Sequence, residues 1–339
     1  MTSAQSTSSI FSEEYIAEQR KVLPVLATTE TCSGATYIVT GANVGLGFEA
    51  AKHLVKLGAA KVIIAVRNVQ AGEAAKAEIE AEAEAVGVLE VWPLDLASFD
   101  SVKVFAKRAN DELNRIDALI ENAGVSLDKW KMAEGHESSI TINVLGTFLL
   151  GILLFPKMME SARRFNILPH LVIVTSEVSF TAKEPFDKIK DDPLVKLDNE
   201  EIQGMVGRYP LSKLIQVLAV RYLATLLPVS RTGVVVNLVN SGLCKTNLIR
   251  KLEMAIRTPI EKAQEQFGRT AEMGSRTLLH AAVAEKESHG CYLSACEIKE
   301  NQVPEWVTNE EGKQAQKRVW DDIAKELDSL MPGCVKILL

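Results

Sequence analysis

Thr40-Gly41-Ala42-Asn43-Val44-Gly45-Leu46-Gly47 decides the reading of this chain. The apolar, strand-like run Thr36-Tyr37-Ile38-Val39 leads into it, and the helix-compatible run Phe48-Glu49-Ala50-Ala51-Lys52-His53-Leu54-Val55 leads out. Strand, glycine turn and helix in that order make a seat for a polyanion. Glycines accept positive φ and let backbone approach a ligand, and a helix N-terminus presents unpaired N–H groups with partial positive charge. A pyrophosphate is the expected guest. The spacing is Gly-x-x-x-Gly-x-Gly, so Gly41, Asn43, Val44, Gly45, Leu46 and Gly47 are candidate cofactor-binding residues.

Working outward, short apolar runs alternate with longer helical ones. Strands are expected at Thr36–Thr40, Lys61–Val66, Leu89–Trp92, Ala118–Ile120, Leu171–Thr175, Val234–Val239 and Cys291–Leu293. Helices are expected near 46–57, 70–86, 98–113, 133–161, 206–227 and 271–285. Apolar strands joined by crossover helices imply a parallel sheet buried on both faces. The expected fold is α/β, a Rossmann-type doubly wound sheet of mostly seven parallel strands with helices on both faces. Residues 1–34 read as an N-terminal extension, 35–294 as the catalytic domain and 295–339 as a helical tail. In the extension, Phe11 to Leu26 could form an amphipathic helix ending near Pro24, a flap or arm. In the tail, Thr308-Asn309-Glu310-Glu311 has the Thr-x-x-Glu form of a capping box, and Met331-Pro332-Gly333 ends the helix it starts.

Composition narrows the class. With 339 residues, 47% hydrophobic and 24% charged, the chain fits one large domain with additions at its ends. A net charge of −6 gives no general attraction to nucleic acid. No apolar run is expected to span a membrane, and the polar N-terminus lacks the order of a signal peptide. Five cysteines without a C-x-x-C pair read as free thiols in the cytoplasm. Five histidines without ligand spacing give no metal site.

Several side chains carry chemistry. Arg67-Asn68 follow the second strand, where a bound dinucleotide places its adenosine ribose. An acidic residue there would accept from a 2′-hydroxyl, whereas arginine suits a 2′-phosphate, so NADP is expected over NAD. Asp95, beside Leu96 after the third strand, can accept from the adenine amino group, or simply supply negative charge ahead of the next helix. Asn122-Ala123-Gly124 closes the fourth strand with small residues beside the adenine ribose. Tyr209 and Lys213 stand four apart on a helix and share a face. A free tyrosine, with a pKa of about 10, moves protons poorly at neutral pH. A nearby ammonium favours its phenolate. Pro210 is compatible with the first turn of that helix. Ser176 ends the fifth strand, opening onto the ligand crevice, where it could hold a carbonyl. Asn143, polar within an apolar helix, either holds a water leading to Lys213 or is a locally satisfied core asparagine.

Together these residues resemble the short-chain dehydrogenase/reductase family from about Ala35 to Leu293. Thr40-Gly41-x-x-x-Gly45-x-Gly47, Asn122-Ala123-Gly124, Asn143, Ser176 and Tyr209-x-x-x-Lys213 come in that family's order. Ala65-Val66-Arg67-Asn68, Tyr209-Pro210-Leu211-Ser212-Lys213-Leu214 and Gly290-Cys291-Tyr292-Leu293-Ser294 resemble its retinol-dehydrogenase and WW-domain-oxidoreductase-like branch, and most of all fungal members acting on polyketide-type secondary metabolites. The resemblance implies that Tyr209 is the general acid in reduction, that Lys213 tunes it and binds the nicotinamide ribose, that Ser176 orients the carbonyl and that Asn143 holds a relay water. It also implies that Leu243 and Thr246 meet the nicotinamide carboxamide. Two departures stand out. Glu121 replaces the family's first asparagine before Asn122-Ala123-Gly124, which could loosen packing under the adenine. Ser241-Gly242 replaces Pro-Gly, which would free the turn bearing Leu243 and Thr246.

A long charged segment (177–205) and an apolar one (245–270) are expected to cover the crevice. The second carries Leu248, Ile249, Leu252, Met254, Ile256 and Phe267, which either face a lipophilic substrate or form a helix's core face. The leading expectation is an NADPH-dependent ketoreductase acting on a lipophilic ketone or alcohol. The alternatives are a retinol- or steroid-like alcohol dehydrogenase, a non-redox cyclase or isomerase, and a dinucleotide-binding scaffold. A homodimer is possible, because family members commonly pair through the helices after the fourth and fifth strands.

Overall fold

Residues 12–338 are described by a computed structural model. Seven parallel strands run in the order β3-β2-β1-β4-β5-β6-β7: β1 Thr36–Thr40, β2 Lys61–Val66, β3 Leu89–Pro93, β4 Ala118–Glu121, β5 His170–Thr175, β6 Val235–Asn240 and β7 Tyr292–Ser294. An eighth, β8 (Glu297–Ile298), adds antiparallel to β7 at the edge, beyond the seven that the sequence predicts. Side chains alternate across the sheet. Ile38, Leu119, Ile173 and Leu238 enter one core, whereas Tyr37, Val39, Ile120 and Val172 enter the other. Both faces are therefore buried, as the unbroken apolar strands require. Strand order reverses between β1 and β4, so the crevice opens where Gly41 and Asn122 leave those strands.

The helices that matter for the site are α1 Glu13–Gln19, α2 Gly45–Lys56, α3 Val69–Ala83, α4 Phe99–Glu112, α5 Thr147–Phe165, α6 Arg208–Leu226, α7 Met254–Phe267, α8 Ala271–Val283 and α9 Glu310–Leu330. The helix expected at 133–161 is not continuous. Met132–Ala133 and His136–Glu137 form a small hairpin, turned by Glu134 and Gly135 at positive φ. A π-helical segment, Thr141–Gly146, then leads into α5. Ser138–Phe165 is long and apolar enough to cross a bilayer by length and composition, contrary to the expectation that no run is. In its most apolar window 89% lies buried inside the molecule, where it forms the core helix beside the sheet.

Both ends of the chain are fastened to the body. The arm's helix stops at Gln19, well short of Leu26, and Phe11 lies outside the described residues. Beyond it, the Arg276 guanidinium donates to the Leu23 carbonyl, and Leu23 is 2% exposed. Tyr15 meets Phe267 edge-on, with ring centroids 6.1 Å apart. In the tail, α9 is capped by Asn309, whose side chain accepts from the Gly312 amide at 2.9 Å. Thr308 instead ends the preceding short helix, and with Gly312 at the third helical position the expected Thr-x-x-Glu box does not form. The apolar face of α9 (Val319, Trp320, Ile323, Leu327) is buried in the core with α5 and α6. Each such side chain contributes roughly 1.5–3 kcal/mol by leaving water.

Candidate active site

The glycine turn is built for close approach. Gly41 and Gly45 hold φ of +66° and +63°. A Cβ on Gly47 would lie 2.6 Å from Asn122 Nδ2, so this glycine stands behind the turn, against Asn122, and not on the cavity wall. Val44, at the N-cap of α2, offers no side-chain acceptor, which leaves the first-turn amides of a 12-residue helix for a ligand. Asn122 Nδ2 donates to the Thr40 carbonyl at 2.8 Å, and the Ala123 amide donates to Thr40 Oγ1 at 2.9 Å, tying the two strand ends together. These features fit a dinucleotide pyrophosphate.

A cavity of about 880 Å³ extends from this turn. Gly41, Asn43, Val44, Gly45, Leu46, Asn122, Ala123, Gly124, Ser176, Tyr209, Lys213, Leu243 and Thr246 all line it. A second hollow of about 180 Å³ holds Arg67, Asn68, Asp95 and Leu96. Asn68 also caps α3, accepting from the Ala71 amide at 3.1 Å, and Asp95 Oδ1 accepts from the Ala97 amide at 3.0 Å. Of the residues expected to bind cofactor or substrate, only Gly47 and Asn143 line neither space.

Ser176 follows β5 directly and shares the cavity wall with Tyr209, whose phenol its hydroxyl influences. Burial pushes Tyr209 well above the ordinary phenol range, and the Ser176 hydroxyl pulls the other way without cancelling it. Pro210 lies within the first turn of α6, which begins at Arg208. Lys213 Nζ stands 5.8 Å from the Tyr209 ring centre and donates to the Val174 carbonyl at 2.7 Å and to Gln216 Oε1 at 3.1 Å. Burial lowers it to about 7. The sequence predicts a phenol acidified by its lysine. Desolvation of the two groups opposes that shift.

A family model described as short chain dehydrogenase matches residues 35–182. The short chain dehydrogenase/reductase dmxR8 of Cryptosporiopsis sp. (strain 8999) is 43% identical over 309 residues, 90% of this chain and 94% of that protein. The chain belongs to the short-chain dehydrogenase/reductase family. Another member, the short chain dehydrogenase atnD of Emericella nidulans, is 41% identical over 276 residues, 78% of this chain and 85% of that protein. The fold is also that of a short chain dehydrogenase from Shigella flexneri, solved in complex with NADP. It superposes with a TM-score of 0.60 at 21% identity, over 80% of this chain and 100% of that one.

Against that family pattern, three local arrangements differ from what the sequence predicts. Asn143 is fully buried, and its side chain is spent on protein partners: Oδ1 accepts from the Val125 amide at 2.9 Å, and Nδ2 donates to the Val125 carbonyl and Ser212 Oγ. Its backbone carbonyl, within the π segment, accepts from Gln216 Nε2. Gln216 thus bridges Asn143 and Lys213 directly. The locally satisfied reading of the Asn143 side chain is the one the geometry carries.

The Ser241-Gly242 turn is not loosened by its missing proline. Arg269 Nη1 donates to the Ser241 carbonyl at 2.9 Å, the Gly242 amide donates to Asn240 Oδ1 at 3.0 Å, and Gln264 Nε2 donates to the Cys244 carbonyl at 2.7 Å. Glu121, in turn, sits 2% exposed with Thr40 Oγ1 donating to Oε2 at 3.4 Å, and burial raises its carboxyl well above the usual range.

The cover also departs from expectation. The charged middle of 177–205 lies away from the cavity: Lys190 pairs with Glu311, and Phe186, Ile189, Leu194 and Leu197 join the core under α9. Only its ends, Glu177, Val178 and Met205, reach the cavity. The apolar segment does both jobs open to it. Leu248, Ile249, Leu252 and Ile256 line the cavity, Phe267 meets Tyr15 edge-on, and Met254 is 72% exposed. Tyr15 and Cys244 are wall residues that carry no motif in the sequence.

Proposed function

We propose that this short-chain dehydrogenase is an NADPH-dependent reductase of lipophilic ketones, acting in fungal polyketide-type secondary metabolism. The observation that carries it is the Ser176–Tyr209 pair at the cavity wall, with Lys213 beneath and apolar side chains opposite. A nicotinamide dinucleotide supplies the hydride in this chemistry. Ser176 donates to the substrate oxygen and holds the carbonyl against Tyr209. Tyr209, kept protonated by burial, delivers its proton to that oxygen as negative charge develops. Lys213 compensates the phenolate that remains and binds the nicotinamide ribose, and Gln216 fixes its ammonium. Leu243 and Thr246, on the cavity wall, would help hold the nicotinamide. The site chemistry is reversible, and the use of NADP(H) in a cell favours reduction. The relatives come from fungi, among them Cryptosporiopsis and Emericella, which supports the assigned metabolism. Five free thiols suit a cytoplasmic location.

Cofactor choice rests on Arg67, which lines the outer hollow with Asn68 where the adenosine ribose belongs. Fluorescence titration of the wild type and Arg67→Asp with NADPH and NADH tests it. The substitution is expected to weaken NADPH on the order of 10-fold or more, the worth of a charge-assisted contact, while sparing NADH. Equal losses for both cofactors would remove the 2′-phosphate assignment.

A further inference from the structure

The two hollows share Gly41, Asn43, Ala123, Gly124 and Arg250. Together they make one groove, with the catalytic pair at its inner end and Arg67 at its outer end. The outer hollow is closed on its far side by Arg250 and Lys251, which come from the substrate cover and not from the sheet. They follow the 3₁₀ turn Asn247–Ile249 and precede α7, so this short segment crosses the groove's mouth.

Three features fix the crossing. Ile249 and Leu252 are each 9% exposed, anchoring the segment on both sides of the two cations. Arg250 Nη1 donates to the Asn247 carbonyl at 2.8 Å, which stiffens the turn. At the end of the segment, the Glu253 amide donates to the Asp128 carboxylate, on the loop after β4. That bond joins the cover to the opposite bank.

The charge is unbalanced in one direction. Arg67, Arg250 and Lys251 line the outer hollow with a single carboxylate, Asp95, in a chain of net charge −6. A cofactor with a 2′-phosphate and a pyrophosphate brings more negative charge than Arg67 alone balances, since a phosphate monoester alone carries about −1.5 to −2 near neutral pH.

We propose that residues 247–253 are a phosphate-gripping strap over the dinucleotide, latched by Asp128. Arg250, at the junction of the two hollows, takes the pyrophosphate. Lys251, confined with Arg67 to the outer hollow, takes the ribose phosphate. The cover is thereby coupled to the cofactor: the same seven residues that hold the phosphates also bring Leu248, Ile249 and Leu252 to the substrate wall. This rests on the dinucleotide reading of the groove given above.

Stopped-flow release of NADPH, chased by excess NADP⁺, tests the strap without any substrate. Wild type, Arg250→Gln, Lys251→Gln and Asp128→Ala would be compared at several salt concentrations, with thermal melting as a folding control. Arg250→Gln is expected to weaken NADPH and NADH alike by about 10-fold, through faster release. Lys251→Gln should weaken NADPH more than NADH, and both should show a shallower salt dependence. Asp128→Ala should speed release, and amide exchange in 247–253 should slow on NADPH addition in the wild type but not in this variant. Wild-type binding and release in all three variants would overturn the strap and leave the cofactor reading intact. Failure of the wild type to bind either cofactor would overturn both.

Discussion

At the scale of single residues, desolvation sets the chemistry. Tyr209 and Lys213 occupy the spacing their motif demands, yet burial raises one and lowers the other, so the proton stays on the phenol. Glu121 obeys the same physics away from the reaction. Its folded-state pKa lies above its unfolded value of about 4.3, so the folded state keeps a proton that the unfolded chain gives up as pH rises. Its stabilising share is complete below the unfolded pKa and is lost as pH climbs towards the folded one, at up to about 1.4 kcal/mol per pH unit. Glu121→Gln, which cannot ionise, should therefore melt above the wild type at pH 8, with the gap closing towards pH 4.5. Melting curves across that range check it, and a pH-independent gap would show that the carboxyl is not the titrating group. The motif residues were legible because their chemistry needs fixed types at fixed spacing. Gln216 was not: its only sequence signal is a position one turn beyond Lys213, and the π segment that holds the Asn143 carbonyl it meets leaves no mark in composition.

At the scale of elements, the strands were the most legible part. Inner runs such as Lys61–Val66 are buried on both faces, so their sequences are apolar without alternation, whereas the edge strand Leu89–Pro93 carries Glu90. The helix boundaries failed where a tertiary contact overrode local preference. Gly146 shows why: a Cβ there would lie 2.4 Å from the Leu96 carbonyl, so the segment is shaped by its approach to the loop after β3. The turn after β6 is a second case. Proline would fix φ locally, whereas this chain holds the turn from outside, through Arg269 and Gln264, more than 20 positions downstream. Covalent stiffness is visible in sequence, and a distant guanidinium is not. The strap belongs to this scale too, since its latch joins Glu253 to an aspartate in another loop.

At the scale of the whole molecule, the two terminal segments define what this short-chain dehydrogenase adds to the shared domain. The arm delivers Tyr15 to the cavity, and Arg269 Nη2 donates to the Glu18 carbonyl while its Nη1 holds the Ser241 turn, so arm and turn are braced by one side chain. The tail covers α5 and α6: Trp320 meets Phe148 at 6.1 Å between ring centres, and Arg221 on α6 pairs with Glu300 ahead of α9. These are the helices after β4 and β5, the surface through which the family resemblance implied pairing. With that surface occupied, the chain is expected to be a monomer in light scattering at micromolar concentration. Trp320→Ala should lower its stability by about 3–5 kcal/mol as for other large core truncations, and leave α5 and α6 partly uncovered. A dimer in the wild type that survives dilution would contradict this account of the tail. Neither docking site was legible, because an amphipathic helix shows that it has a buried face but not which surface it meets.

The central claim is hydride reduction with Tyr209 as proton donor. Its most direct test is incubation of the protein with NADPH deuterated at the nicotinamide C4 and a panel of lipophilic ketones, with the products read by mass spectrometry. The account predicts alcohols bearing one deuterium on the carbinol carbon, formed only when the cofactor is present and reduced by several orders of magnitude in Tyr209→Phe, which still binds NADPH. Products formed equally without NADPH, or without deuterium, would contradict it and leave a cyclase or isomerase on this fold.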